Sequence, residues 1–413
     1  MAVNEAKLQL LLSSSRRVTI CLDGWSKKGL SASFLGISAC FFDPISSKPQ
    51  HAFLNLEQIK HPHTGDMLSH CLEASLVKWG IPKEKILLVV TDNGANMVKA
   101  VRLLRERAQA SEEVVESEVD EGSDDEDGMS EEGVHDEVDD IDLSKLNTPY
   151  LRMGCMVHTV QLVVKKAYDG PYKETLNKAR ALVGKVRKSS VIMEKIADKC
   201  GKVVVSDNAT RWNSTYFMLK RLMEIRRELN EALADMNIDS LLIGEWAAVE
   251  ELVELLEPFA THTDILQSDS LSLSNLIPSI LDLDCHLDQF PNAKTLTVSM
   301  LTDLRQRCTT IFQPNHSEFN PIPAAACLLD PTCASFILGC DQSISELREA
   351  AKAYILNQVR QNYSSKLSYT FVFADYIHLC YFYSMISEFT ALSDIIPLRY
   401  CNYTLFLHLF SSQ

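Results

Sequence analysis

The 413-residue sequence has no Cys-x-x-Cys pair and no dense run of bases. Each absence removes a class of protein. Its twelve cysteines lack the even spacing of a disulfide framework, which points to a reducing compartment. Met1–Leu12 is a mixed, helix-like stretch and not a charged-then-apolar leader, so an intracellular protein is expected. Cys155 and His158 have the spacing of two zinc ligands, yet no second Cys or His pair at finger spacing accompanies them, and no zinc site is predicted. His61, His63, His70 and Cys71 cluster in sequence, but His61-Pro62-His63 reads better as a turn before a helix. Arg16-Arg17 and Lys185-Val-Arg-Lys188 are too sparse for a localisation signal. The stretch from Tyr369 to Phe389 approaches membrane length, but Asp375, His378 and Glu388 interrupt it, so no membrane partner is expected.

Lys and Arg are also missing from residues 112–142, where 17 acids are concentrated. The net charge of −15 therefore misleads, because the rest of the chain holds 38 acids against 40 bases. With almost no aromatic or large aliphatic residues, this run cannot bury enough surface to offset ordering entropy, and a disordered insertion is expected over 111–145. It reads as a solvated loop, the alternative being autoinhibition by competition with DNA phosphates for a basic groove.

What is present is a pair of aspartates at the ends of apolar runs: Asp23 in Val18-Thr-Ile-Cys-Leu-Asp-Gly-Trp-Ser26, and Asp92 in Leu87-Leu-Val-Val-Thr-Asp-Asn-Gly-Ala-Asn-Met97. Each follows a β-branched-rich stretch and precedes a Gly-containing turn, so each carboxylate projects from a buried strand. Such acids commonly cap the next turn or helix. Two of them side by side also suit a shared Mg²⁺ or Mn²⁺ ion, as in the two-metal clamp on a phosphodiester. Periodicity predicts strands at 18–22, 33–42, 51–57 and 86–91, helices at 65–79 and 95–107, a short strand Leu151–Cys155 and a helix Val157–Ala167. From Thr175 onward the period is helical, with expected helices at 216–233, 246–266, 272–289, 294–312 and 343–362.

Two more segments complete a pattern: Cys155-Met-Val-His158-Thr and Thr210-Arg211-Trp212-Asn213-Ser214-Thr215-Tyr216. In order, DGWS, TDNGANM, CxxHTxxLxV and TRWNSTYxML resemble the core of hAT-superfamily transposases and of the BED-type zinc-finger proteins descended from them. The resemblance covers residues 16 to 340. It implies an α/β ribonuclease H-like mixed sheet followed by an all-α insertion domain, with Asp23 and Asp92 brought together as a remnant catalytic and metal-binding pair. It further implies DNA contacts from His158 at a phosphate, from Arg211 paired with a phosphate, and from Trp212 capping flipped or hairpin-ended DNA. Plain packing is the alternative for His158 and Trp212. The expected organisation is a lead-in over 1–16, a core over 17–215, a helical domain over 216–363 and a divergent aromatic tail over 364–413.

Departures from the pattern matter as much. The family's third acid lies in a Ser-x-x-Glu-Arg-x-Phe-Ser motif that this sequence lacks, and its LDPR-like signature survives only as Leu329-Asp330-Pro331-Thr332. The BED finger is missing too, so the sequence reads as an internal part of a longer protein. The expectation is a domesticated nuclear protein with a DNA-associated or transcription-regulatory role and no catalysis, partnered by DNA, other proteins or a second copy. The rivals are an active metal-dependent DNA transposase, its third acid being Glu388 or one from another chain, and a protein-interaction scaffold. If 112–142 is only a solvated loop, deleting it leaves duplex affinity unchanged across a salt titration. A tighter complex would identify competition instead.

Overall fold

The computed structural model describes residues 2–26, 32–43, 46, 48–119, 150–208, 212–267, 273–339 and 342–364. Alternation of apolar residues builds the first layer: β1 (Val18–Ser26), β2 (Ser33–Asp43), β3 (Lys48–Ile59), β4 (Ile86–Thr91) and β5 (Arg152–Gly154) form one sheet in the order β3-β2-β1-β4-β5. The first three strands are antiparallel neighbours, whereas β4 runs parallel to both β1 and β5. This is the ribonuclease H-like mixed sheet.

One face is dry. Val18, Ile20 and Leu22 from β1 join Leu35, Ile37, Ala39 and Phe41 from β2 in a core with the helices α1 (Ala2–Ser14), α2 (Gly65–Trp79) and α3 (Ala95–Val119). Helix α2 starts because the Thr64 hydroxyl accepts the Met67 N–H at 3.2 Å, and it ends on Gly80 in the left-handed region at φ 64°. Leu68, Leu72 and Leu76 recur at the helical period and place its stripe on the sheet. At its end the Trp79 indole donates to the Leu54 carbonyl at 3.0 Å, fixing the helix to β3.

The structure corrects several expected limits. β1 continues past Leu22 to Ser26 because β2 pairs with it as far as Ser33, so Asp23 lies within a strand and not at its end. Helix α3 runs to Val119, and the first part of the acidic run is therefore helical, continuing a turn already nucleated over Ala95–Ala110. Residues 120–149 lie outside the described residues.

The all-α region follows as α4 (Met156–Asp169), α5 (Lys173–Arg187), α6 (Ser190–Cys200), α7 (Trp212–Glu224), α8 (Arg226–Ala234), α9 (Ile243–Gln267), α10 (Leu276–Gln289), α11 (Lys294–Arg307) and α12 (Thr309–Phe312). Helix α9 is its hub, packing against α4, α5, α7 and α10 through residues that include Trp246, Leu252, Leu256 and Phe259. The single helix expected at 216–233 breaks at Ile225, whose φ of −109° and ψ of 12° leave the helical region. The apolar period crosses that break because Leu222, Leu229 and Leu233 are all buried. A similar break at Cys308 splits the helix expected at 294–312.

The chain divides into two compact units, Met1–Asn320 and Pro321–Gln413. In the second, α13 (Ile322–Leu329) packs against α14 (Ser335–Leu338) and α15 (Gln342–Ser364). Here the LDPT signature forms a local turn, with the Asp330 carboxylate accepting the Thr332 N–H at 3.0 Å and its hydroxyl at 2.7 Å. Glu388 and the aromatic tail lie outside the described residues.

Candidate metal and nucleic-acid site

Register sets the site. In the parallel β1–β4 ladder the last pair is Cys21 with Val90; Asp23 lies two residues further on in β1, and Asp92 directly follows Thr91, the last residue of β4. Directly paired residues of neighbouring strands project from the same face, with the strands about 4.8 Å apart. Since Ile20 and Leu22 face the core under α2 and α3, Asp23 faces the other way. It is exposed, whereas Asp92 is half-buried.

On the next strand Thr91 pairs with Gly154, and the Cys155 N–H donates to the Thr91 carbonyl at 2.6 Å. Cys155 therefore continues the row Asp23, Asp92 across the sheet. Burial pushes its thiol up, the Val157 and His158 backbone N–H groups at the start of α4 pull it down, and both carboxylates push it up again. Beside it, the Cys21 thiol is hydrogen-bonded to the Cys40 thiol and is raised above the usual thiol range by that hydrogen bond and by burial. His158 sits half-exposed in the first turn of α4. Thus the described geometry gathers Asp23, Asp92 and Cys155, with His158 close along the chain.

The turn after β4 is held from both sides. Asp92 Oδ1 accepts the Gly94 N–H at 2.9 Å, and the Thr91 hydroxyl donates to the Asp92 carbonyl at 2.7 Å. From β5, Arg152 donates to Thr91 Oγ1 at 2.9 Å, to the Asp92 carbonyl at 2.6 Å and to Asn93 Oδ1 at 2.8 Å. A side chain at Gly154 would put its Cβ 2.7 Å from Asn93 Oδ1, so a larger residue there displaces the Asn93 side chain from its place against β5. Burial pushes the Arg152 guanidinium down, against the pull of Asp92 and Glu318. Arg152 and Gly154 act on Asp92 from about sixty residues away, which no local spacing reveals.

The Trp212 segment is a different construction. Trp212 opens α7 at 7% exposure, its indole N–H has no hydrogen-bond partner among the described residues, and its carbonyl accepts the Tyr168 hydroxyl at 3.1 Å. Around it, Asp207 accepts Arg180 Nε at 2.6 Å and the Thr215 hydroxyl at 3.1 Å, while Ser214 Oγ bonds the Asn208 backbone at both its N–H and carbonyl. Tyr216 and Lys220 both reach Glu257 on α9. These polar residues fasten the start of α7 to α5 and α9. Arg211 lies outside the described residues.

Two carboxylates suit a hard divalent cation. Gly94 occupies Asp92 Oδ1 and Asp23 is exposed, so Asp92 Oδ2 and the Asp23 carboxylate would be the oxygens offered to Mg²⁺ or Mn²⁺, with water or phosphate needed for the rest of the shell. Among the described residues no three His, Cys, Asp or Glu side chains stand ready to hold an ion.

Comparison with known proteins agrees with this sheet and its order of motifs. Residues 21–119 match the family model described as ZBED1 RNase-like domain, and residues 153–255 match the ZBED1 RNase-like helical domain. The Putative AC transposase of Zea mays is 24% identical over 68% of this chain, covering 32% of its own length. These matches support a hAT-superfamily transposase-derived protein. The Putative transcriptional regulator tpeD of Talaromyces stipitatus is 24% identical over 70% of this transposase-derived chain and 34% of its own. Zinc finger BED domain-containing protein 4 of Homo sapiens is also 24% identical, over 43% of the chain and 16% of its own length. The transposase-derived chain therefore spans about a third or less of the relatives it matches.

Because Trp212 is buried, its replacement tests packing against DNA reading. Trp212→Ala costs about 3–5 kcal/mol of unfolding free energy in urea. Where the variant is fully folded, it binds hairpin-ended DNA like the wild type. Binding lost by a folded variant would assign the ring to DNA.

Proposed function

We propose that this transposase-derived chain is part of a DNA-associated nuclear protein with a regulatory role, which holds a divalent cation at Asp23 and Asp92 and neither cuts nor joins DNA. The observation that supports the reading is that Asp23 on β1 and Asp92 just past β4 both follow the last pair of the parallel ladder, Cys21 with Val90. Mg²⁺ or Mn²⁺ bound there would neutralise charge on a phosphate. The chain's own residues would do the rest. Asp23 and Asp92 hold the cation, the start of α4 presents His158 toward a backbone phosphate, and Arg152 keeps the Asp92 turn fixed. The likeness to the Talaromyces regulator supports a regulatory role and, with it, the nucleus. No helix among the described residues is long and apolar enough to cross a membrane.

The absence of catalysis rests on ligand supply. The described strands bring two carboxylates to the row, and a displacement of about 1 Å in a reacting group costs on the order of 10²-fold in rate. A missing ligand costs more. The retained pair favours one alternative, an active transposase whose third acid is Glu388 or comes from another chain.

Purified protein, Mn²⁺ and inverted-repeat duplexes separate these readings. The wild type binds Mn²⁺ in a calorimetric titration and Asp92→Ala does not. Duplex affinity falls with rising salt, and no strand is nicked. Nicking that Asp92→Ala abolishes would establish the active enzyme, and the absence of any duplex binding would leave the scaffold.

A further inference from the structure

We propose that Arg152 is a positioning residue: by clamping the backbone of the Asp92 turn, it holds the Asp92 carboxylate beside Asp23 for a divalent cation. This rests on the metal-binding reading above. The clamp spans three consecutive residues, with one guanidinium bonding Thr91 Oγ1, the Asp92 carbonyl and Asn93 Oδ1. A planar fork with fixed donor directions suits that task, whereas an ammonium on a flexible stem does not.

Arg152 does not use up the carboxylate it positions. It pairs with Val89, a core residue, so its side chain leaves the sheet on the face under α3. Asp92, in the turn just past β4, has Oδ1 on the Gly94 N–H, and Arg152 bonds its carbonyl and leaves Oδ2 for a ligand. Arg152 therefore acts through main chain. Without it, among the described residues, the Cys155 N–H still ties the Thr91 carbonyl to the sheet at 2.6 Å, but beyond Thr91 the Asp92 carbonyl and the Gly94 N–H keep only the local bonds to the Thr91 hydroxyl and the Asp92 carboxylate, which move with the turn. Arg105 of α3 supports the same region by donating to the Tyr150 carbonyl at 3.3 Å, just before β5. The first residues of β5 are thus anchored on one side to α3 and on the other to the acid turn.

Charge and position predict opposite signs, which makes the inference testable. A guanidinium near a divalent cation repels it. If Arg152 were only a charge, Arg152→Met would strengthen Mn²⁺ binding and Arg152→Lys would leave it unchanged. If it positions Asp92, both substitutions weaken binding, by about 10- to 100-fold as for other residues that orient metal ligands.

Calorimetric Mn²⁺ titration of the full chain reads this directly. Hydrogen exchange at the Gly94 amide without metal supplies a second readout, expected to quicken in both variants. Asn93→Ala serves if Arg152 variants fail to fold, because Asn93 is exposed and its loss removes one arm of the clamp. It should weaken Mn²⁺ binding about threefold or more. Wild-type protein that binds no Mn²⁺ would overturn the metal reading itself. Wild-type protein that binds it, with folded variants binding as tightly or more tightly, would overturn the role of Arg152.

Discussion

The parallel pairing of β1 with β4 is the constraint on which the rest of the structure depends. Sequence separates these strands by two further strands and a helix, and the pairing reunites them so that Asp23 and Asp92 each come two residues after its last pair, Cys21 with Val90. A shift of one residue would turn one carboxylate into the core and expose an apolar neighbour. The register is therefore protected by burial, since Ile20 and Val89 are paired and both have no exposed surface. The site depends on hydrophobic packing under α2 and α3 more than on attraction between its polar groups, because two like carboxylates repel until a cation joins them.

β5 adds the second part of the arrangement. It is only three residues long, yet it supplies Arg152 to the acid turn, Gly154 as the surface on which Asn93 lies, and the start of α4 with Cys155 and His158. The motif that resembles CxxH thus belongs to the same physical unit as TDNGANM. By contrast, the segment around Trp212 spends its polar residues on bonds within the bundle. Asp207, Ser214, Thr215 and Tyr216 each have protein partners there.

Much of the sheet was legible because alternation and helix caps are local signals. Ile20 and Leu22 mark β1, Thr64 and Gly80 bracket α2, and the limits of β4 follow from the apolar run before Asp92. The end of β1 was not legible, because pairing with β2 decides it and Gly24 looks like a turn residue. Neither was the break at Ile225, where the apolar stripe continues across two helices. The helical start of the acidic run follows from propagation of α3, which composition alone does not register. At the proposed site, Arg152 could not be given its partners from sequence, because three of its bonds span about sixty residues.

The central claim is that Asp23 and Asp92 form one cation site on the sheet face opposite α2 and α3. Crystals soaked in Mn²⁺ and measured at the manganese absorption edge test it most directly. The account predicts an anomalous peak within coordination distance of both carboxylates, with Arg152 still bonded to the Asp92 carbonyl. Carboxylates on opposite faces of the sheet, or a peak that touches neither, would contradict it.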